Sequence, residues 1–239
     1  MKIFQNDLCF ICHEEIVPVA GWQALFEKEM KTVACQTCLG RFSVIEGETC
    51  RLCSRPFEHL EEQYRQADLC FDCIRWEEDS EWRGFLEKNN SLYNYNHFLK
   101  EVIARYKFRG DYALSKVFAA PLQEKLLKMN YDLLVPIPLS GERLYERGFN
   151  QAEALIKVSG FTPANVLTRV HAEKQSKKSR NERIHLSQVF QLDPGCSVLN
   201  KKIVLVDDIY TTGSTIRHAA KILKEAGAAS VTSFTLARG

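Results

Sequence analysis

"KKIVLVDDIYTTGSTIRHAA", residues 201–220, decides how the rest of the chain is read. Its apolar run of β-branched and leucine residues ends on two adjacent carboxylates, Asp207 and Asp208. Continuous apolar character, without alternation, predicts a parallel strand covered on both faces. Five small residues follow closely: Thr211, Thr212, Gly213, Ser214 and Thr215. Ile216, Ala219, Ala220, Leu223 and Ala226 then recur at helical spacing, and Gly227 suits the helix end. "SVTSFTLAR" at 230–238 predicts a second strand, so the unit is strand, loop, helix, strand in an α/β fold.

In such sheets ligands sit beyond the carboxyl ends of the strands, where residues 207–215 fall. A small-residue loop opening a helix turns several backbone N–H groups toward one point, and the helix dipole adds partial positive charge. That arrangement suits a phosphate monoester. Hydroxyls of Thr211, Thr212, Ser214 and Thr215 add donors, and Gly213 permits close approach. Paired carboxylates repel a polyphosphate but accept hydrogen bonds from vicinal hydroxyls, with magnesium nearby. A phosphate beside a diol describes a ribose 5-phosphate. The Walker pattern G-x-x-x-x-G-K-[ST] is absent here. A receiver domain needs most of its fold after its paired aspartates, whereas only 31 residues follow Asp208. The plain alternative is an acidic strand end beside a threonine-rich helix cap.

The chain has 239 residues, enough for one large domain or two modest ones. No apolar stretch reaches the ~20 residues a membrane span needs, and Cys9 arrives before any signal-peptide core forms. These features predict a cytoplasmic protein with no membrane insertion. A formal net charge of +2 conceals a contrast between halves. Residues 1–82 hold eight Lys/Arg against sixteen Asp/Glu, and residues 83–239 hold twenty-four against fourteen. Two modules are expected, 1–82 and 83–239, divided near the polar stretch "EEDSEWRGFLEKNNS".

Eight of the nine cysteines form C-x-x-C pairs: Cys9/Cys12, Cys35/Cys38, Cys50/Cys53 and Cys70/Cys73. Two such knuckles supply four thiolates, the tetrahedral shell zinc prefers. Gaps of 22 and 16 residues separate first from second pair and third from fourth. Both match four-cysteine zinc sites. Two structural zinc ions are therefore expected, paired sequentially or crossed, with sequential closure favoured because it is local. Cys196 stands alone and reads as a small apolar residue. Four thiolates on one Zn²⁺ leave −2 per site, so an already acidic module suits protein docking better than DNA phosphates.

"VLVDDIYTTGST" resembles the phosphoribosyl-pyrophosphate (PRPP) motif of type I phosphoribosyltransferases. The wider chain resembles the ComF family of competence proteins. "YKFRGD" at 106–111, "VPIPLSGERLYERGFNQA" at 135–152, "KQSKKSRNER" at 174–183 and the paired cysteines carry that likeness. It implies a type I phosphoribosyltransferase-like parallel sheet with an N-terminal zinc-ribbon module. The strand "YDLLVPIPLS" ends at Pro136, Ile137 and Pro138, where prolines stop the ladder. By resemblance the PRPP diphosphate lies there, with magnesium. Arg143 and Arg147 follow, either as a cationic wall opposite the diphosphate or as a solvated helix flank.

 Asn150 is expected to cap the helix that starts at Gln151.

The resemblance also brings Lys107 and Arg109, in "YKFRGD", toward the PRPP pocket. They follow a helix with Phe98, Val102 and Tyr106 on one face. It further implies a hood over the reacting centre from the basic segment 174–183, with Gln175, Arg180 and Arg183 matching the family phrase. Lysines stand there where a threonine-glycine-leucine run is usual. That charge suits single-stranded DNA or another polyanion, or simply an exposed loop. His171, His185 and His218 fit no metal pattern. Two functions follow from the resemblance. One is PRPP binding without turnover in DNA uptake, beside the ComFA translocase and with DprA as a further candidate partner, peripheral to the membrane through those partners. The other is a phosphoribosyltransferase acting on an unread acceptor, with no general base evident.

Overall fold

The computed structural model describes residues 7–16, 33–58, 60–170 and 189–239. The N-terminal part holds one helical turn, α1 (Gln36–Leu39), and a two-residue ladder of β1 (Arg65–Gln66) with β2 (Leu69–Cys70). Helix α2 (Phe71–Glu78) follows Cys70 directly, and strand β3 (Lys88–Asn94) comes next. Helices α3 (His97–Phe108) and α4 (Ala119–Leu127) precede strand β4 (Leu133–Pro136). Helices α5 (Gly141–Arg147) and α6 (Gln151–Val158) lead to an antiparallel pair, β5 (Leu167–Arg169) and β6 (Phe190–Leu192). Strand β7 (Lys202–Tyr210), helix α7 (Ser214–Glu225) and strand β8 (Ser230–Arg238) complete the unit read first from sequence.

Four strands lie side by side in the order β3-β8-β7-β4, all parallel. β7 is flanked on both sides, which is why Ile203–Val206 are fully buried and read as an unbroken apolar run. Its side chains alternate between two cores. Val204 and Val206 join Phe234 and Leu236 against α3, α4 and α6. Ile203 and Leu205 join Val231 against Ile216, Ala219, Ala220 and Leu223 of α7. Each fully buried aliphatic side chain contributes about 1.5–3 kcal/mol, so this double burial fixes the strand's place.

Local signals end the elements as their residue types predict. Asn150 accepts a hydrogen bond from Glu153 N (3.2 Å) and so caps α6. Asn96 does the same for α3 through Leu99 N at 2.8 Å. Gly227 follows α7 with φ of +92°, and an added Cβ there would meet Leu199 Cδ1 at 2.8 Å.

The polar stretch 77–91 runs into an ordered edge strand, β3, just after the expected boundary at 82/83. Its anchor is Asn89, which is fully buried. Asn89 Nδ2 donates to Cys53 O and Ser91 Oγ, and its Oδ1 accepts from Ser233 Oγ. Hydrogen-bonding polar groups replace the apolar pattern, so hydropathy gives no sign of the strand. The outer side of β3 is bonded by the cysteine-rich part: Ile45 N donates to Leu92 O, and Asn94 N to Ser43 O. The buried cysteines also belong to the sheet's own cores. Cys9 and Cys38 pack in the core of α3, whereas Cys50, Cys53, Cys70 and Cys73 pack in the core of α7.

Candidate functional site

The aspartate pair sits in the C-terminal half of β7. Asp208 is buried, and Lys107 Nζ from the last turn of α3 lies 2.7 Å from its Oδ2. Asp207 is half-buried and accepts a hydrogen bond from Asp208 N at 2.9 Å. Burial, then the Asp208 charge, pushes the Asp207 carboxyl up to about 7, against the opposing pull of Lys107 and Arg147. Lys107 thus lies against Asp208, and Arg147 is near enough for its charge to act on Asp207. Arg147 also donates to Gln151 Oε1 at 2.9 Å and lies over the Phe108 ring.

Pro136 and Ile137 are buried beside this pair, and Pro138 is half-buried. Ile137 N still bonds to Val206 O, while Ile137 O accepts from Asn150 Nδ2 at 2.9 Å. The chain leaves the sheet there with its backbone satisfied, next to Ser140, which caps α5 through Arg143 N. Arg109 goes elsewhere. It is exposed and lines a cavity of about 580 Å³ with Ile11, Cys12, Arg41 and Phe98. It forms no ion pair among the described residues. The basic segment 174–183, with Gln175, Arg180 and Arg183, lies outside the described residues.

Thr211, Thr212, Gly213, Ser214 and Thr215 line a shallow recess of about 30 Å³ together with Ile209, Tyr210 and Ile216. Gly213 has φ of +82° and immediately precedes α7. A Cβ at that position would meet Tyr210 Oη at 2.1 Å and Cζ at 2.4 Å. No acceptor for the backbone N–H of Thr211, Thr212 or Gly213 occurs among the described residues. Open amides at a helix start form an anion cradle. Left-handed strain and overpacking each cost about 1–3 kcal/mol, so Gly213→Ala is expected to destabilise the fold by about 2–6 kcal/mol. Urea unfolding of the two proteins checks this.

Three residues at the site escape sequence reading. Arg169, at the end of β5, is close enough to feel both Arg143 and Asp207; burial, then Arg143, lowers its pKa. Arg238 is buried at the end of β8 and donates to Thr211 O at 2.9 Å. Trp76 of α2 donates from Nε1 to Thr212 O at 3.0 Å. Arg238 carried a legible signal, a lone cation closing an apolar strand, whereas Trp76 lies 136 residues from its partner.

The cysteines gather sequentially. Cys9, Cys12, Cys35 and Cys38 form one tetrad, and Cys50, Cys53, Cys70 and Cys73 the other, with sulfurs in each within 4.8 Å of one another. Bonds of about 2.3 Å to a tetrahedral zinc set sulfur–sulfur edges near 3.8 Å. Cys12 and Cys35 sulfurs are 3.7 Å apart, and those of Cys53 and Cys70 are 3.6 Å apart. The donor sets fit zinc, which would supply structural cross-links there. The second tetrad is wholly buried; in the first, Cys12 is exposed.

A model of the phosphoribosyl transferase domain matches residues 124–239. Competence protein ComFC of Bacillus subtilis (strain 168) is 38% identical over 235 residues, covering 97% of this chain and 95% of that protein. The chain belongs to the ComFC family. ComFC of Streptococcus pneumoniae is 35% identical over 231 residues, covering 96% and 99% of the two chains. Competence protein F of Haemophilus influenzae is 26% identical over 227 residues, covering 85% and 96%. In this ComFC-family chain the phosphoribosyl transferase match takes in β4, β7, α7 and β8. Lys107 and both cysteine tetrads lie before it. Among the described residues, no helix is long and apolar enough to cross a membrane.

Proposed function

We propose that this protein binds PRPP with magnesium and acts in DNA uptake during competence. One observation carries the reading: the aspartate pair lies beside a helix-opening loop whose Thr211, Thr212 and Gly213 amides lack acceptors among the described residues. The 5-phosphate rests on that loop, with hydroxyls of Thr211, Thr212, Ser214 and Thr215 in reach. The ribose hydroxyls meet Asp207 and Asp208, displacing Lys107 from Asp208 toward the ligand's phosphates. Pro136, Ile137 and Pro138 border the diphosphate. Arg109, two residues after Lys107, is a further contact to the ligand's phosphates. Two zinc ions hold the tetrads, and residues 1–82 form a module that docks a ComFA-type translocase, with DprA a second candidate. The basic second half, 83–239, offers contact to single-stranded DNA. The setting is cytoplasmic, at the membrane only through partners.

The alternative is turnover, with ribose 5-phosphate passed from PRPP to an acceptor. Arg143, Arg147 and Arg169 around Asp207 favour it, because such a wall offsets charge on departing pyrophosphate. Calorimetry with PRPP and magnesium, followed by a pyrophosphate-release assay over candidate acceptors, tests both. Binding without release supports the first reading, release the second, and no binding removes both.

The raised Asp207 pKa gives a pH signature. The carboxylate that accepts a ribose hydroxyl binds it in its ionised form, so affinity is expected to fall by up to about tenfold per pH unit below about 7. The monoester's own second ionisation, near pH 6, adds only at the acid end. Stability runs the other way. The folded pKa exceeds the unfolded value, so this group's stabilising proton is fully present below about pH 4 and lost as pH rises through about 7. Asp207→Asn should flatten both profiles, read by calorimetry and thermal melts from pH 5 to 8.

A further inference from the structure

The carbonyl groups behind the phosphate loop are each held from beneath. Arg238 Nη1 donates to Tyr210 O at 3.2 Å and to Thr211 O at 2.9 Å. Gly239 N also reaches Tyr210 O, at 3.0 Å. Trp76 Nε1 donates to Thr212 O at 3.0 Å. In a planar trans peptide the C=O of one residue and the N–H of the next point in opposite directions. Fixing the carbonyls of residues 210, 211 and 212 inward therefore fixes the amides of Thr211, Thr212 and Gly213 outward.

Both donors are tied to the second cysteine tetrad. Arg238 Nη2 lies 3.4 Å from Cys53 Sγ, and Arg238 is 4% exposed. Trp76 stands three residues after Cys73 in α2. A second clamp joins the same helix to α7: fully buried Arg217 pairs with Glu77 at 2.9 Å and lies over the Trp76 ring at 5.2 Å. A four-thiolate site with bound zinc carries net negative charge, which suits the neighbouring Arg238 guanidinium.

We propose that Arg238 and Trp76 are positioning residues that hold the loop amides toward an anion, with the second cysteine tetrad as their common anchor. The inference rests on the phosphate-loop reading of this site and adds a reason for the loop's shape. A cysteine cluster remote in sequence thereby sets the geometry of the ligand cradle. Without the two clamps the loop peptides are free to rotate, and its amides lose their common aim.

The test uses the full chain, ribose 5-phosphate as the probe, and three variants. Trp76→Phe keeps the ring but removes the donor; Arg238→Lys keeps the charge but cannot bridge two carbonyls and a sulfur. Trp82→Phe is the control, since Trp82 packs on Trp76 and His218 without a bond to the loop. Expected are at least fivefold weaker binding for Trp76→Phe and at least tenfold for Arg238→Lys, with two zinc ions retained and the control unchanged. Backbone ¹⁵N order parameters of residues 211–213 should drop in both positioning variants from the rigid range near 0.85. Wild-type affinity and loop order in both variants would overturn the inference while leaving the function standing. Should the wild-type chain not bind the probe, the functional reading fails, and the order parameters alone decide the positioning role. Should Arg238→Lys not fold, Trp76→Phe carries the decision by the same two readouts.

Discussion

Asp207→Ala combined with Asp208→Ala is expected to weaken PRPP binding by at least about 100-fold, with zinc content and far-ultraviolet circular dichroism unchanged. A hydrogen bond to a charged group contributes about 1.5–3 kcal/mol, and the proposal places one ribose hydroxyl on each carboxylate. Losing two such bonds corresponds to roughly 3–6 kcal/mol, which is 100-fold or more in affinity. The substitution lies outside both tetrads, so metal content should not move. Folding responds in two directions. Removing Asp207 relieves a buried carboxylate crowded by Asp208, whereas removing Asp208 strips Lys107 of its 2.7 Å partner. Asp207→Asn alone should therefore raise thermal stability above pH 7, and Asp208→Asn alone should lower it. Calorimetry with magnesium and melts of each variant give the result. Unchanged PRPP affinity in the double variant would remove the ribose site from this strand.

The central unit is legible in the sequence because each of its signals is local. β7 is apolar throughout since it is covered on both faces, and α7 shows its buried positions Ile216, Ala219, Ala220 and Leu223 at helical spacing. The cap at Asn150 and the left-handed Gly227 also act within a few residues. β3 escapes because its key contact, Asn89 with Ser233, joins polar groups 144 residues apart. Periodicity cannot register a strand whose place is fixed by side-chain hydrogen bonds to another strand and to Cys53 O.

The site divides in the same way. The acidic pair and the small-residue loop are adjacent in sequence and are read together. Lys107 is reached only through the resemblance, and the structure pairs it with Asp208. Arg169 and Trp76 belong to elements whose roles are set by packing, so nothing in their own neighbourhoods points to the loop or to Asp207. Arg217 is the sharpest case. A charged residue beside helical apolar positions reads as solvent-facing, yet it is fully buried against Glu77 and Trp76.

Zinc removal should proceed in two separable steps with unequal consequences. Metal analysis is expected to give two zinc ions per chain, one for each tetrad. In the first tetrad Cys12 is exposed and Cys35 half-buried, which leaves that site open to a chelator. All four cysteines of the second are buried, among Leu205, Ile216 and Leu223 of the α7 core. Chelator should therefore take the first ion at least about tenfold faster than the second. Release of the second ion is expected to coincide with loss of the fold. Structural zinc in small sites is worth about 10–16 kcal/mol in apparent binding, comparable to the roughly 5–15 kcal/mol that stabilises a whole domain. Cys50→Ser with Cys73→Ser should accordingly fail to fold, while Cys12→Ser with Cys35→Ser should yield a folded chain carrying one zinc. Release followed with a colorimetric zinc indicator, alongside circular dichroism, separates these outcomes. One zinc per intact chain would overturn the two-site reading, and a fold that survives loss of both ions would show that the second tetrad does not hold the α7 face together.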